Sequence, residues 1–282
     1  MKHTEQSSSQ YVEIDEDGLR LRVHYNDAGT GKAVILLHGG GPGASGWSNY
    51  SRNFHAFVDA GFRTILLDCP GFNKSDPILV TEDRAVVNAK ATAGLMNALG
   101  IERASLVGNS LGGASALNFA LRYPERLDRL VLMGPAGLGK SLFVPQPTEG
   151  IKHLVNVFRE PSMESLKRML SVFVFDQSGM TEELIAQRYE SMMRDGGVHL
   201  RNWVESFAAG AMSDLSPRLR EIEAPTLCTW GRDDRFLPLD QGIKLITELP
   251  NAALHVFPQC GHWAQWEHAD AFNRLVIDFI VN

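Results

Sequence analysis

Ser110 stands in the run LVGNSLGG (106–113), where Gly108-Asn109-Ser110-Leu111-Gly112 spells G-x-S-x-G. A serine hydroxyl is a weak nucleophile by itself and needs a base beside it and a third group to orient that base. Its surroundings suit the task. An apolar run that reads as a strand precedes it and a periodic run that reads as a helix follows, the context of a nucleophile elbow. The turn thrusts the serine outward, and side chains two positions to either side would collide with strand and helix. The orienting acid is offered by WGRDDRFLP (230–238), in which Asp233 and Asp234 compete. The spacing of Gly231, Asp234 and Pro238 favours Asp234 and leaves Asp233 as a solvated turn carboxylate. The base is offered by CGHWAQWEH (260–268), where His262 lies on a loop after a glycine. His268, in the helix-like segment that follows, and His255, inside a strand, read as structural. The order Ser, Asp, His is that of the α/β-hydrolases. The glycine run HGGGPG (38–43) follows an early strand, and its unhindered amides with that of Leu111 form an oxyanion hole. The chemistry is that of a serine hydrolase. Serine at the elbow excludes halide displacement, which needs a carboxylate there.

The elements that must position these groups alternate. VEIDEDGLRLRVHYNDAG reads as a hairpin turning at Asp17-Gly18. Near-continuous apolar runs follow at 33–38, 63–68, 104–109, 127–133, 224–230 and 252–258, as buried parallel strands require. RAVVNAKATAGLMNALG and GASALNFALRYPERL read as crossover helices between them. The fold class is α/β, a mostly parallel sheet flanked by helices. From about Gly134 to Pro217 the strand signal stops and four helical patterns take over: EGIKHLVNVF, SMESLKRMLSVF, TEELIAQRYESMMRD and HLRNWVESFAAG. Residues 1–134 and 218–282 therefore read as the two parts of the core, and 135–217 as a helical lid over the site.

A competing motif is GPAGLGKS (134–141), which satisfies the phosphate-loop pattern G-x-x-x-x-G-K-[ST] after a strand. Such a loop works only if its lysine opens a helix, so that backbone amides converge on phosphate. Pro145 and Pro147 arrive barely a turn after Lys140, and proline inside a helix costs ~3 kcal/mol. The run reads as a Gly-rich turn into the lid. The bulk composition excludes other classes. A net charge of −6 offers no global field for nucleic acid. No apolar run approaches the ~20 residues that cross a bilayer. MKHTEQSSSQ lacks the apolar stretch of a secretory signal and reads as a short disordered lead-in. The three cysteines (Cys69, Cys228, Cys260) are an odd number, far apart and without C-x-x-C, so they read as reduced thiols of a cytoplasmic protein. No metal or cofactor is implied.

In the lid, Leu184, Ile185, Arg188, Tyr189 and Met192 share one helical face, so Arg188 points with the apolar stripe. Two fates are open to it. Its stem snorkels while the guanidinium pairs with a nearby glutamate, or the cation faces the covered cavity and grips a substrate carboxylate bidentately. Asn109 beside the nucleophile and Asn49 in GWSNY add uncharged donors. Phe173, Phe175, Trp203 and Trp263 are candidate walls of an apolar chamber.

HGGGPGASGWSNY, LLDCPGFNKSD, VGNSLGGASALNFAL, WGRDDRFLP and CGHWAQWEHADAFNRLVIDF together resemble the meta-cleavage-product hydrolases of bacterial aromatic degradation, α/β-hydrolases that cut a carbon–carbon bond. The resemblance covers nearly the whole chain. It implies a small-molecule substrate, a 2-hydroxy-6-oxohexa-2,4-dienoate made by ring-opening of a catechol. Ser110, Asp234 and His262 become the triad, with Gly40 and Leu111 as oxyanion amides. Gly41, Asn49, Asn109, Arg188 and Trp263 hold the dienoate end, and Phe173 and Ser178 lie near the substrate. The resemblance also implies a homodimer or higher oligomer. The substituent on carbon 6 is open among phenyl, alkyl and carboxyethyl, with the aromatic content inclining toward aryl.

Overall fold

The computed structural model describes residues 3–209 and 212–282. In chain order the elements are α1 (Glu5–Ser8), β1 (Ser9–Glu16), β2 (Leu19–Ala28), β3 (Ala33–Leu37), α2 (Gly46–Asp59), β4 (Arg63–Leu67), α3 (Arg84–Ala98), β5 (Ala104–Asn109), α4 (Leu111–Arg122), β6 (Leu127–Met133), α5 (Glu149–Arg159), α6 (Met163–Ser171), α7 (Glu182–Ala209), β7 (Thr226–Gly231), α8 (Asp240–Glu248), β8 (Ala252–Phe257), α9 (Ala264–Glu267) and α10 (Ala269–Val281). The strands form one sheet in the order β1-β2-β4-β3-β5-β6-β7-β8. β1 and β2 run antiparallel to their neighbours, and from β4 to β8 all pairings are parallel.

The β1–β2 hairpin turns at Asp17 (φ 47°) and Gly18 (φ 78°), the left-handed pair a two-residue turn demands. β3 and β5 are buried along their whole length, as strands covered on both faces must be. Val34, Leu36, Leu66 and Val107 face α2 and α10, while Ile35, Leu37, Ile65 and Leu106 face α3 and α4. Ser45 caps α2 and Asp83 caps α3, each side chain accepting a first-turn amide. The N-terminal run is ordered rather than a lead-in: residues 5–8 make a helical turn whose Glu5 carbonyl accepts from Asn26 Nδ2 at 2.8 Å.

Between β6 and β7 every α-helical or strand element is a helix. α5, α6 and α7 bury their own apolar cluster, including Val157, Leu166, Met169, Leu170 and Ile185, against Phe236 and Trp263 of the sheet's carboxyl-edge loops. The two helical patterns expected at the end of this region form α7, broken at Arg194–Gly197, where Asp195, Gly196 and Gly197 adopt positive φ. One side chain bridges the break. Asn73 Oδ1 accepts from Ser191 Oγ at 3.2 Å before it, and Asn73 O lies 3.1 Å from His199 Nε2 beyond it. Asn73 itself donates to Asp68 Oδ2 at 2.7 Å. That carboxylate also meets His24 Nδ1 at 2.8 Å, and His24 Nε2 lies 2.8 Å from Ser9 Oγ. The Ser9–His24–Asp68 chain copies a triad's connectivity, yet none of its members lines the main cavity, and its role is to anchor the hairpin and α2.

Candidate active site

Ser110 joins β5 to α4 at φ 54°, ψ −115°, a strained conformation for a residue with a side chain. Backbone bonds hold it there. Its N–H donates to Met133 O, and its carbonyl accepts from Ala114 N and Ala136 N, all at 3.0 Å. The flanking glycines are obligatory. A Cβ on Gly108 would stand 2.3 Å from Gly112 O, and one on Gly112 2.0 Å from Leu37 O.

His262 Nδ1 and Asp234 Oδ2 lie 2.7 Å apart, and both side chains are 1% exposed. The other carboxylate oxygen, Oδ1, accepts from the amides of Phe236 and Leu237 at 2.7 and 3.0 Å. Asp234 is thus gripped at both oxygens and holds the imidazole with Nδ1–H donating, which leaves Nε2 free as a base. Phe236 stacks on the ring at 5.2 Å between centroids, and Phe173 flanks it at 5.5 Å. Asp233 is the turn carboxylate: part-exposed, it meets Arg232 at 3.3 Å and accepts from Cys260 N at 3.4 Å. The two aspartates therefore separate as the spacing suggests. Ser110 and His262 line one cavity of about 700 Å³.

The first glycine of the phosphate-loop look-alike serves this site. A Cβ on Gly134 would crowd Asp234 Oδ2 and His262 Cε1, each at 3.3 Å. Ser141 is bound to Asp240 at 2.9 Å, and no helix begins until Glu149. The run provides clearance for the triad and a path into the inserted helices, without a phosphate cradle.

Gly39, Gly40, Gly41 and Leu111 line the cavity. Behind them lies His38, which motif reading passes over although it heads the glycine run. Its Nδ1 donates to Gly39 O at 2.8 Å and its Nε2 accepts from Cys69 N at 3.0 Å. Burial pushes its pKa below the usual imidazole value, so it stays neutral and fixes the loop's shape.

Arg188 resolves in favour of the cavity. It is 1% exposed, and only its Nη2 finds an acceptor, Pro42 O at 3.1 Å. Nε and Nη1 have no hydrogen-bond partner, and no glutamate pairs with it among the described residues. Its guanidinium lies 5.3 Å from the Trp263 ring centroid, and a Cβ on Gly41 would come within 3.1 Å of Nη2. Burial lowers its pKa to about 10, so it keeps its charge at neutral pH. A buried cation with two idle donors lacks an anion.

Asn49 also lines the cavity, but its Nδ2 is spent on Ser45 O at 3.1 Å, and its idle atom is Oδ1, an acceptor rather than the expected donor. Phe173, Trp203 and Trp263 are walls of the chamber. Three expectations are corrected. Asn109 does not line the cavity; its Nδ2 reaches Met133 O at 3.2 Å and His262 O at 3.5 Å, bracing the elbow against the histidine loop. Ser178 is exposed and turned away, its hydroxyl donating to Asp176 Oδ2 at 2.8 Å in a local turn. Phe175 is 50% exposed, drawn outward as its amide donates to Glu267 Oε2 at 2.6 Å. Sequence reasoning missed the liners from α5 and its surroundings, Ile151, Leu154, Val155, Phe158 and Arg159, although EGIKHLVNVFR is visibly amphipathic.

The arrangement can activate a hydroxyl, stabilise an oxyanion and neutralise one carboxylate in an apolar chamber. The α/β-hydrolase fold family matches residues 32–269. The chain is 60% identical over 282 residues to 2-hydroxy-6-oxo-6-phenylhexa-2,4-dienoate hydrolase of Burkholderia cepacia, covering 99% of this chain and 98% of that one. It is 59% identical over 281 residues to 2-hydroxy-6-oxononadienedioate/2-hydroxy-6-oxononatrienedioate hydrolase of Comamonas testosteroni, with 99% and 98% covered. Among solved structures it is similar to a meta-cleavage product hydrolase from Pseudomonas fluorescens, at a TM-score of 0.83 and 35% identity over 95% of this chain and 96% of that one.

Proposed function

We infer the reaction from the premise that this chain belongs to the α/β-hydrolase family and, within it, to the meta-cleavage-product hydrolases. It is a serine hydrolase that cuts a carbon–carbon bond. Its substrates are 2-hydroxy-6-oxohexa-2,4-dienoates bearing a phenyl or related group on carbon 6. The products are 2-hydroxypenta-2,4-dienoate and a carboxylic acid.

The observation that carries the site assignment is the pair of idle guanidinium nitrogens on buried Arg188, inside the cavity that Ser110 and His262 share. The C1 carboxylate takes those nitrogens bidentately, and the 2-hydroxyl donates to Asn49 Oδ1. Held so, the dienol passes its 2-hydroxyl proton to carbon 5 and becomes a 2-keto compound. Carbon 5 can then leave as a stabilised enolate. Ser110, deprotonated by His262 Nε2, attacks the carbon 6 ketone, and the amides of Gly40 and Leu111 take the developing charge. The C5–C6 bond breaks, carbon 5 keeps the electron pair, and water releases the acid from the serine.

The test is a pair of variants followed by the loss of visible absorbance of a ring-fission product. Ser110→Ala should lose nearly all turnover, and retention of most of it would end the serine assignment. Arg188→Gln should cripple dienoate cleavage far more than hydrolysis of a neutral ester such as p-nitrophenyl acetate. Equal losses on both would remove Arg188 as the carboxylate anchor.

On the same reading, residues 135–217 act as the lid, supported by their helical content and their packing over the cavity. Three buried thiols without disulfides suit a cytoplasmic enzyme, and no helix among the described residues is long and apolar enough to cross a membrane. Assembly as a homodimer or higher oligomer follows from family resemblance, and light scattering on the purified protein tests it.

A further inference from the structure

The cavity has a buried end and an open end, and they differ in exposure. Asn49, Arg188 and Trp263 are each 1% exposed. Val155, Val204 and Met212, which line the same cavity, are 38%, 44% and 38% exposed and mark its mouth. Arg159 stands with them, an exposed residue in the last turn of α5 that also lines the cavity. No ion pair or hydrogen bond engages its guanidinium among the described residues. Between the two arginines the walls are apolar apart from Ser110, His262 and Asn49.

From this placement we infer that Arg159 is a specificity residue for the far end of the substrate, favouring a carbon 6 substituent that ends in a carboxylate. The inference rests on the reaction proposed above. With the C1 carboxylate at Arg188 and the carbon 6 ketone at Ser110, the substituent must run toward the mouth. A short methylene chain then lies along Ile151, Leu154 and Phe158, and its terminal carboxylate emerges beside Arg159. A dianionic substrate meets a cation at each end, and the acid released is a short dicarboxylic acid. An uncharged tail takes the same apolar path and leaves Arg159 in water.

Three ring-fission products test this with wild-type enzyme and Arg159→Gln: one with a 6-phenyl group, one with a 6-carboxyethyl group, and one with a neutral propyl group. The substituted residue is exposed, so thermal melting should be unchanged. For the carboxyethyl substrate kcat/KM should fall about tenfold, chiefly through KM, because an exposed pair contributes modestly and acts on binding. The other two substrates should change less than about twofold. High salt should erase the wild-type advantage on the charged tail, and Arg159→Lys should restore part of it. Equal changes on all three substrates, or no change on any, would overturn the role of Arg159 while leaving the cleavage reaction intact. Failure of the wild-type enzyme to consume any of the three would instead overturn the proposed reaction itself.

Discussion

Replacing Asp234 by asparagine should cost far more than its near-isosteric shape suggests, and the geometry says why. Asp234 Oδ1 accepts two backbone amides, at 2.7 and 3.0 Å, while Oδ2 faces His262 Nδ1 at 2.7 Å. An asparagine has one acceptor and one donor end. Turning its NH₂ toward Phe236 and Leu237 would set donor against two donors, so the oxygen must stay there and the NH₂ must face the imidazole. His262 then accepts at Nδ1 and carries its proton on Nε2, the tautomer that cannot deprotonate Ser110. A wrong-tautomer triad loses about 10⁴ in kcat, or ~5.4 kcal/mol of transition-state stabilisation at 1.36 kcal/mol per decade. The assay is steady-state loss of visible absorbance at saturating substrate, with a melting curve to show the fold is kept. Asp233→Asn serves as the control and should stay within about twofold of wild type, its carboxylate being an exposed turn group. Retention of more than about a tenth of kcat in Asp234→Asn would refute the tautomer reasoning. A large loss in the Asp233 variant would reassign the acid.

Stability should fall with acid in two stages. Burial lowers the pKa of His38 and of His199 below the ordinary imidazole value. The unfolded chain therefore binds protons that the folded one refuses, and the melting temperature should decline as pH drops below about 6.5. For Asp68, burial pushes the carboxyl up, but the hydrogen bond and charge of His24, nearby His38 and the Gly46 amide outweigh it and hold the pKa low. Its contribution is complete above about 3.9 and is lost as pH falls through the still lower folded value. Asp68→Asn should remove that second stage and lower stability at neutral pH by about 3 kcal/mol, since His24 loses its buried partner; an unchanged acid limb in a melting series across pH would contradict this. Gly112→Ala should abolish soluble, folded enzyme or destabilise it by about 3 kcal/mol or more, because its methyl would meet Leu37 O at 2.0 Å. Wild-type melting in that variant would mean the elbow is looser than described.

The catalytic groups were legible because each is tied to a local backbone requirement that leaves a mark in the chain. Gly108 and Gly112 announce the elbow, and Gly261 precedes the base at a point where a Cβ would stand 2.5 Å from Phe173 O. The sheet was legible for a similar reason, since β3, β5 and β7 are apolar at nearly every position and admit few other roles. The inserted region was not. Ser178 and Phe175 sit where the chain is steered by an aspartate turn and by the distant Glu267, which periodicity does not register. Asn109 is adjacent to the nucleophile in sequence yet faces the sheet's carboxyl-edge loops, because residues next to a tight turn point away from it. The two idle nitrogens of Arg188 are a property of what is missing around it, and spacing along one helix shows only the side on which a residue stands. Ser45, Asp83, Thr148 and Ser162, by contrast, are short-range signals, and each caps the helix it precedes.

The inserted helices are riveted to the loop that carries the base. His262 N–H donates to Phe173 O at 2.6 Å, directly after α6, and Gly261 lies flush against the backbone of Val174. A hinged flap swinging at that seam would drag the imidazole away from Asp234 with every opening. Traffic of substrate and product is therefore confined to the opposite rim, where Val155, Val204 and Met212 meet solvent. The enzyme can exchange its contents through that rim while the proton-transfer machinery stays assembled between turnovers.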